Sequence, residues 1–157
     1  MSLRTLEEAE LELDAARPEC ETVKEQEECS RLEQLLTLLH TFWSAVEEGW
    51  GALQPKEELK IDNQRFVVVK VDPTSLVLSS ADKESTYTLS DLPGNLAVLL
   101  ASRKLRADAS STYLCLGAFH AMDRCGDRKQ ALAMWNQATN AGGFSPKLLL
   151  PELKKPK

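Results

Sequence analysis

Between residues 32 and 50 the apolar side chains Leu32, Leu35, Leu36, Leu39, Phe42, Trp43, Val46 and Trp50 recur at steps of three and four. Such spacing traces one face of an α-helix, since a helix returns to the same side about every 3.6 residues. A long helix is therefore expected from Glu19 to about Gly49, stopped by Gly49 and Gly51 with Pro55 beyond. The stripe is dense after residue 32 and thin before it. The part 32–50 should pack on the body of the protein, while 3–28 projects or pairs with another helix. Residues 3–16 are themselves helical in character, with Leu3, Leu6 and Leu13, and Pro18 interrupts the pattern because proline damages a helix interior.

The period then changes. The stretch 58–89 is rich in β-branched residues and punctuated by "DNQ", "DPTS" and "ADKE". Strands are expected at 58–61, 65–72, 76–80 and 85–89, and such short turns make neighbouring strands antiparallel. Four short strands cannot bury a face alone and call for a covering helix. One is expected at 91–104, capped by Ser90, with Asp91 in its first turn and Pro93 where proline is tolerated. It is apolar nearly all round between Leu96 and Leu100, the mark of a helix buried between two layers. A helical pair closes the chain, at about 111–123 and 127–141, with Gly142-Gly143 as the stop. In the tail, prolines at 146, 151 and 156 exclude a long helix, and Leu148-Leu149-Leu150 should fold back onto the body. The expected class is α+β: one or two long N-terminal helices, a small four-stranded antiparallel sheet, then a helix and a helical hairpin. The expected division is 1–54, an acidic helical region; 55–105, a β module with its following helix; and 106–157, the hairpin and tail.

Charge is unevenly spread over the 157 residues, whose formal net charge is -5. Residues 1–50 hold 13 acids and 4 bases, and residues 51–157 hold 11 acids and 15 bases. This describes an acidic arm on a mildly basic body and argues against nucleic acid, which requires a concentrated basic face. No apolar run approaches the roughly 18 residues of a membrane span. The start "MSLRTLEEAELELD" is too charged for a signal peptide, and the location stays open between cytoplasm and cell envelope.

In the C-terminal pair, Gly126-Asp127, Ala131, Trp135 and Ala138 fall at the spacing of the second helix of a tetratricopeptide repeat, and Leu116-Gly117 is similar to the first-helix Leu-Gly of that family. The interval from Gly117 to Gly126 is two residues longer than the family's, the likeness covers about 30 residues, and no second copy follows, whereas a stacked array needs about three. The resemblance implies a repeat-like hairpin capped by other structure, in which small residues let two helices approach. The meander leading into "YTLSDLP" resembles the small β modules of an uncharacterised bacterial, planctomycete-like family that joins them to such a hairpin, and less specifically small Src-homology-3-like barrels. That likeness implies architecture and little function.

Candidate chemistry is sparse. His40 lies in "LLTLLHTFW" and reads as a residue at the core's edge. His120 is five residues from both Cys115 and Cys125, but on a helix that interval turns about 140° and rises about 7.5 Å, poor geometry for two ligands on one ion. Cys20 and Cys29 are nine apart. On one continuous helix they would lie on opposite sides, about 13 Å apart along the axis, beyond bridging unless the chain breaks between them. The four cysteines are expected as free thiols, some buried. No hydrolase, zinc-protease, phosphate-loop or dinucleotide signature is present. Paired glutamates at 7–8, 27–28, 47–48 and 57–58 do not face one another on a helix.

The expected function is a non-catalytic protein–protein interaction or scaffolding module, acting on a protein partner or a second copy, without cofactor or metal. Its candidate contact residues are Trp50, Tyr113 and Trp135, although the stripe position of Trp50 also suits core packing. The alternatives are a small-ligand, metal or thiol site at Cys115, His120 and Cys125, and carbohydrate binding by the β module. For the latter the strands offer only Phe66 and Tyr87 as aromatics.

Overall fold

The computed structural model describes residues 3–81, 83–107, 109–123, 126–141 and 149–154. Its α-helices are α1 (Leu3–Ala16), α2 (Val23–Gly51), α3 (Gly94–Ser102), α4 (Ser110–Met122) and α5 (Arg128–Asn140). Its strands are β1 (Glu58–Ile61), β2 (Gln64–Val71), β3 (Leu76–Ser80) and β4 (Lys83–Tyr87). Short 3₁₀ turns occupy Arg17–Glu19 and Leu150–Lys154. The class is α+β, with one antiparallel sheet in the order β1-β2-β3-β4. Two compact units emerge: Met1–Trp43 with Ala107–Lys157, and Ser44–Arg106. The N-terminal and C-terminal helical regions, far apart in sequence, thus share one unit.

In the first unit, Leu6, Leu35, Leu39, Phe42, Phe119 and Trp135 form the buried centre. Phe42 of α2 stacks on Phe119 of α4 with ring centroids 4.3 Å apart, and Trp43 meets Phe119 edge to face. Helices α4 and α5 make an antiparallel hairpin. Ser110 Oγ donates to the Ala138 carbonyl at 2.9 Å at one end. Further along, the indole of Trp135 lies over Gly117, where any Cβ would collide with it, and its Nε1 donates to the Leu114 carbonyl at 3.3 Å. Asp127 caps α5 by accepting from the Lys129 N–H at 2.8 Å. Leu149 is wholly buried, as expected of the leucine run, and the turn after it contacts α5. Leu148, the Gly142-Gly143 stop and Cys125 lie outside the described residues.

In the second unit, the meander turns β1 into β2 through Asp62-Asn63, both at positive φ (47° and 66°), with Ile61 paired to Gln64. Two left-handed residues match the twist of a two-residue hairpin, and aspartate and asparagine tolerate that conformation best after glycine. The register of β2 against β3 shifts between Val68 and Lys70. Strand β4 starts at Lys83, earlier than the pattern suggests, because Ser80 pairs directly with Lys83. Leu59, Ile61, Val68, Leu76 and Leu78 share the buried face of the sheet, while Val67 and Val69 of β2 are exposed. Helix α3 contacts β1, and Asn95 at its start donates to Asp62 at 2.5 Å. Ser90 does not cap this helix. It hydrogen-bonds Thr88, and α3 begins only at Gly94, with Pro93 as an extended N-cap residue (φ -58°, ψ 139°).

The end of α2 belongs to this second unit, through Ala45, Val46 and Trp50. Trp50 Nε1 donates to the Asp72 carbonyl at 2.8 Å, tying the helix to the β2–β3 turn. Gly49 touches α3 so closely that a Cβ would collide with the Leu100 carbonyl, whereas a Cβ on Gly51 would meet nothing. Gly49→Ala is therefore expected to lower stability by roughly 1–3 kcal/mol, the usual effect of overpacking. Gly51→Ala should be neutral or slightly stabilising. Thermal melts of the two variants check the contrast.

Candidate functional site at the N-terminal helical hairpin

The break between α1 and α2 is built from local chemistry. Pro18 sits in the 3₁₀ turn, where its ring does no harm, and Cys20 follows in an extended conformation (φ -75°, ψ 92°). Helix α2 then starts with a reciprocal cap. Thr22 Oγ1 accepts from the Glu25 N–H at 3.3 Å, and Glu25 Oε2 accepts from the N–H groups of Thr22 at 2.8 Å and Glu21 at 3.1 Å. This is a capping box, threonine followed three residues later by glutamate. The backbone bond from Thr22 holds the Glu25 carboxyl below its ordinary value.

Folded back at this turn, α1 runs antiparallel along α2. Arg17 Nε donates to Glu33 Oε1 at 2.8 Å. Two turns further along each helix, His40 Nε2 lies 2.9 Å from Glu10 Oε1, an ion pair when the imidazole is protonated. Seven residues back from Arg17, in the turn, to Glu10 on α1 match seven forward from Glu33 to His40 on α2, as in an antiparallel pair. Nearest the turn, Cys20 Sγ and Cys29 Sγ lie 2.6 Å apart, both half-buried and both free thiols. The hydrogen bond to Cys29, and then burial, push the Cys20 thiol up to about 11.

The inward face of α1 is narrow. Leu6 is fully buried, and Ala9 and Leu13 are half-buried. The rest of the hairpin surface is acidic, with Glu7, Glu12, Asp14, Glu19, Glu21 and Glu27 all exposed. Two aliphatic side chains stand among them in the open, Leu11 at 71% and Val23 at 72% exposure. A groove of about 380 Å³ runs between the helices beside the Arg17–Glu33 pair, lined also by Leu13, Asp14 and Thr37.

The residues picked out by sequence fall elsewhere. Trp135 and Trp50 are core side chains, 0% and 3% exposed, with both indole N–H groups bonded to carbonyls. Tyr113, on α4, is half-buried, so of the three it alone offers a partner part of its side chain. Cys115 is buried on α4, and burial pushes its thiol up to about 11. His120 packs edge-on against the ring of Phe119 on the same helix. Among the described residues no group of three or more His, Cys, Asp or Glu side chains is placed to hold a metal ion, and no helix is long and apolar enough to cross a membrane. Leu11, Val23 and the Cys20–Cys29 pair were not legible as site residues. The sequence signal for the cysteines was Pro18 with the Thr22-Glu25 spacing, which breaks the helix between them.

No protein family, curated protein or solved structure matches the chain.

The cap has a pH signature. A carboxyl lowered in the folded state contributes stability that is complete above its unfolded value, near 4.5, and lost as pH falls through the folded value. Amide exchange in the first turn of α2 should therefore accelerate as pH drops below 4.5, beyond the intrinsic pH effect, and Glu25→Gln should remove that extra dependence. Thr22→Ala should cost about 1 kcal/mol of stability.

Proposed function

We propose that the protein is a non-catalytic interaction module that uses the N-terminal hairpin to hold a protein partner bearing a basic surface. The observation that carries this reading is the exposure of Leu11 and Val23 within a predominantly acidic surface. Carboxylates of one sign steer a basic partner and select against acidic ones, and exposed aliphatic side chains give it apolar anchors once docked. Self-association through the same face is disfavoured, because 13 acids against 4 bases in residues 1–50 place like charge against like charge. The capping box and the paired helices support the role by presenting the surface on rigid elements rather than on a loop.

The test is affinity capture from the source cell with the full chain, its Glu12→Lys/Asp14→Lys variant and its Leu11→Ser/Val23→Ser variant, over a salt series. These side chains are exposed, so both variants should keep the wild-type circular dichroism spectrum and melting point. A specific partner should be retained by the wild type, weaken as salt rises, and bind the charge-reversal variant roughly tenfold less tightly. Equal retention by all three forms, or a salt-independent partner, would sink the reading.

A further inference from the structure

We propose that Cys20 and Cys29 form a thiol-oxidation site for a small disulfide of the glutathione type, and that oxidation links α1 to α2 covalently. The site goes beyond the partner-binding reading and does not depend on it. Its basis is geometric. The two sulfurs are 2.6 Å apart, inside non-bonded contact yet longer than the S–S bond of about 2.05 Å, so closure needs only a small movement. Both side chains are half-buried rather than sealed, leaving access for a reactant. The turn that places them contains an extended Cys20 between a 3₁₀ turn and a capped helix, so the approach is built by the backbone.

Two exchanges complete the reaction. The thiolate of one of the two cysteines attacks one sulfur of oxidised glutathione, the glutathione S–S bond breaks, and one glutathione thiolate leaves. The other cysteine then releases its proton and attacks the protein sulfur of the mixed disulfide, expelling the second glutathione thiolate. Two cysteine thiols are oxidised by two electrons, one glutathione disulfide is reduced to two thiols, and the two cysteine protons end on them. Either sulfur can take the first step, since either can donate the hydrogen bond between them. Cys115 is an internal control, since its thiol is buried in the core.

The link would matter because Arg17–Glu33 and Glu10–His40, which also join the two helices, are partly exposed ion pairs of the kind that contribute little in water. In the experiment, the reduced full-length chain is equilibrated in glutathione buffers of graded ratio, acid-quenched and digested with trypsin without reduction. Lys24 lies between the cysteines, so their peptides separate unless bridged. The expected products are one Cys20–Cys29-linked peptide pair in the wild type and a persistent glutathione adduct on Cys29 in Cys20→Ser. Amide exchange across α1 should slow roughly tenfold on oxidation, because the cross-link removes freedom from the opened hairpin. Separate glutathione adducts on both wild-type cysteines, or a bridge to Cys115 or Cys125, would overturn the site. So would thiols that stay reduced while a urea-unfolded sample oxidises. A linked pair with unchanged exchange in α1 would overturn the structural consequence.

Discussion

One helix supplies apolar side chains to two cores. Leu35, Leu39 and Phe42 of α2 are buried in the first unit, and Ala45, Val46 and Trp50 are buried in the second. Within each unit the helical period fixes which α2 residues point inward. Each core adds a specific lock to that burial. The Phe42–Phe119 stack joins α2 to α4, and the Trp50 indole joins α2 to the β2–β3 turn. Aromatic pairs of this kind contribute about 0.5–1.5 kcal/mol beyond the area they bury.

The elements were largely legible because each announces its period. The stripe from Leu35 to Trp50, the alternation in β3 and the Gly-Asp start of α5 all have local causes. The α+β class and the meander follow from short turns such as Asp62-Asn63, whose left-handed backbone only a few residue types accept readily. Errors arose where a competing local rule acted. Pro93 delays α3 past the Ser90 cap, and a two-residue connection moves β4 forward to Lys83. The surface was far less legible. Trp50 and Trp135 attract notice in a sequence because large aromatic residues mark interfaces, yet the same residues fill cores. Only the packing tells the two apart. Leu11 is five residues from Leu6, on the side of α1 away from Leu6 and Leu13, so its exposure follows from the helical period.

Electrostatically the hairpin is uneven. Its few basic residues offset only part of the charge: Arg17 is engaged by Glu33, Arg31 is buried in contact with Glu28, and Lys24 is exposed. Most of the carboxylates face solvent, so the field of the hairpin is negative. Salt at physiological strength screens such a field beyond about 8 Å, which confines its influence to partners already near contact.

The antiparallel register of α1 on α2 also bears on how the hairpin forms. Among the described residues, three contacts across it join residues nine, sixteen and thirty apart, nested one inside the next. Once the innermost is made, each later one closes only a short additional stretch of chain, and the entropy lost grows slowly with each step. The assembly is a zipper whose first tooth is set by proline and a threonine cap. Its contacts are local in sequence, the condition under which helical structures form fast, so the N-terminal segment can organise before the long-range pairing of α2 with α4 is made.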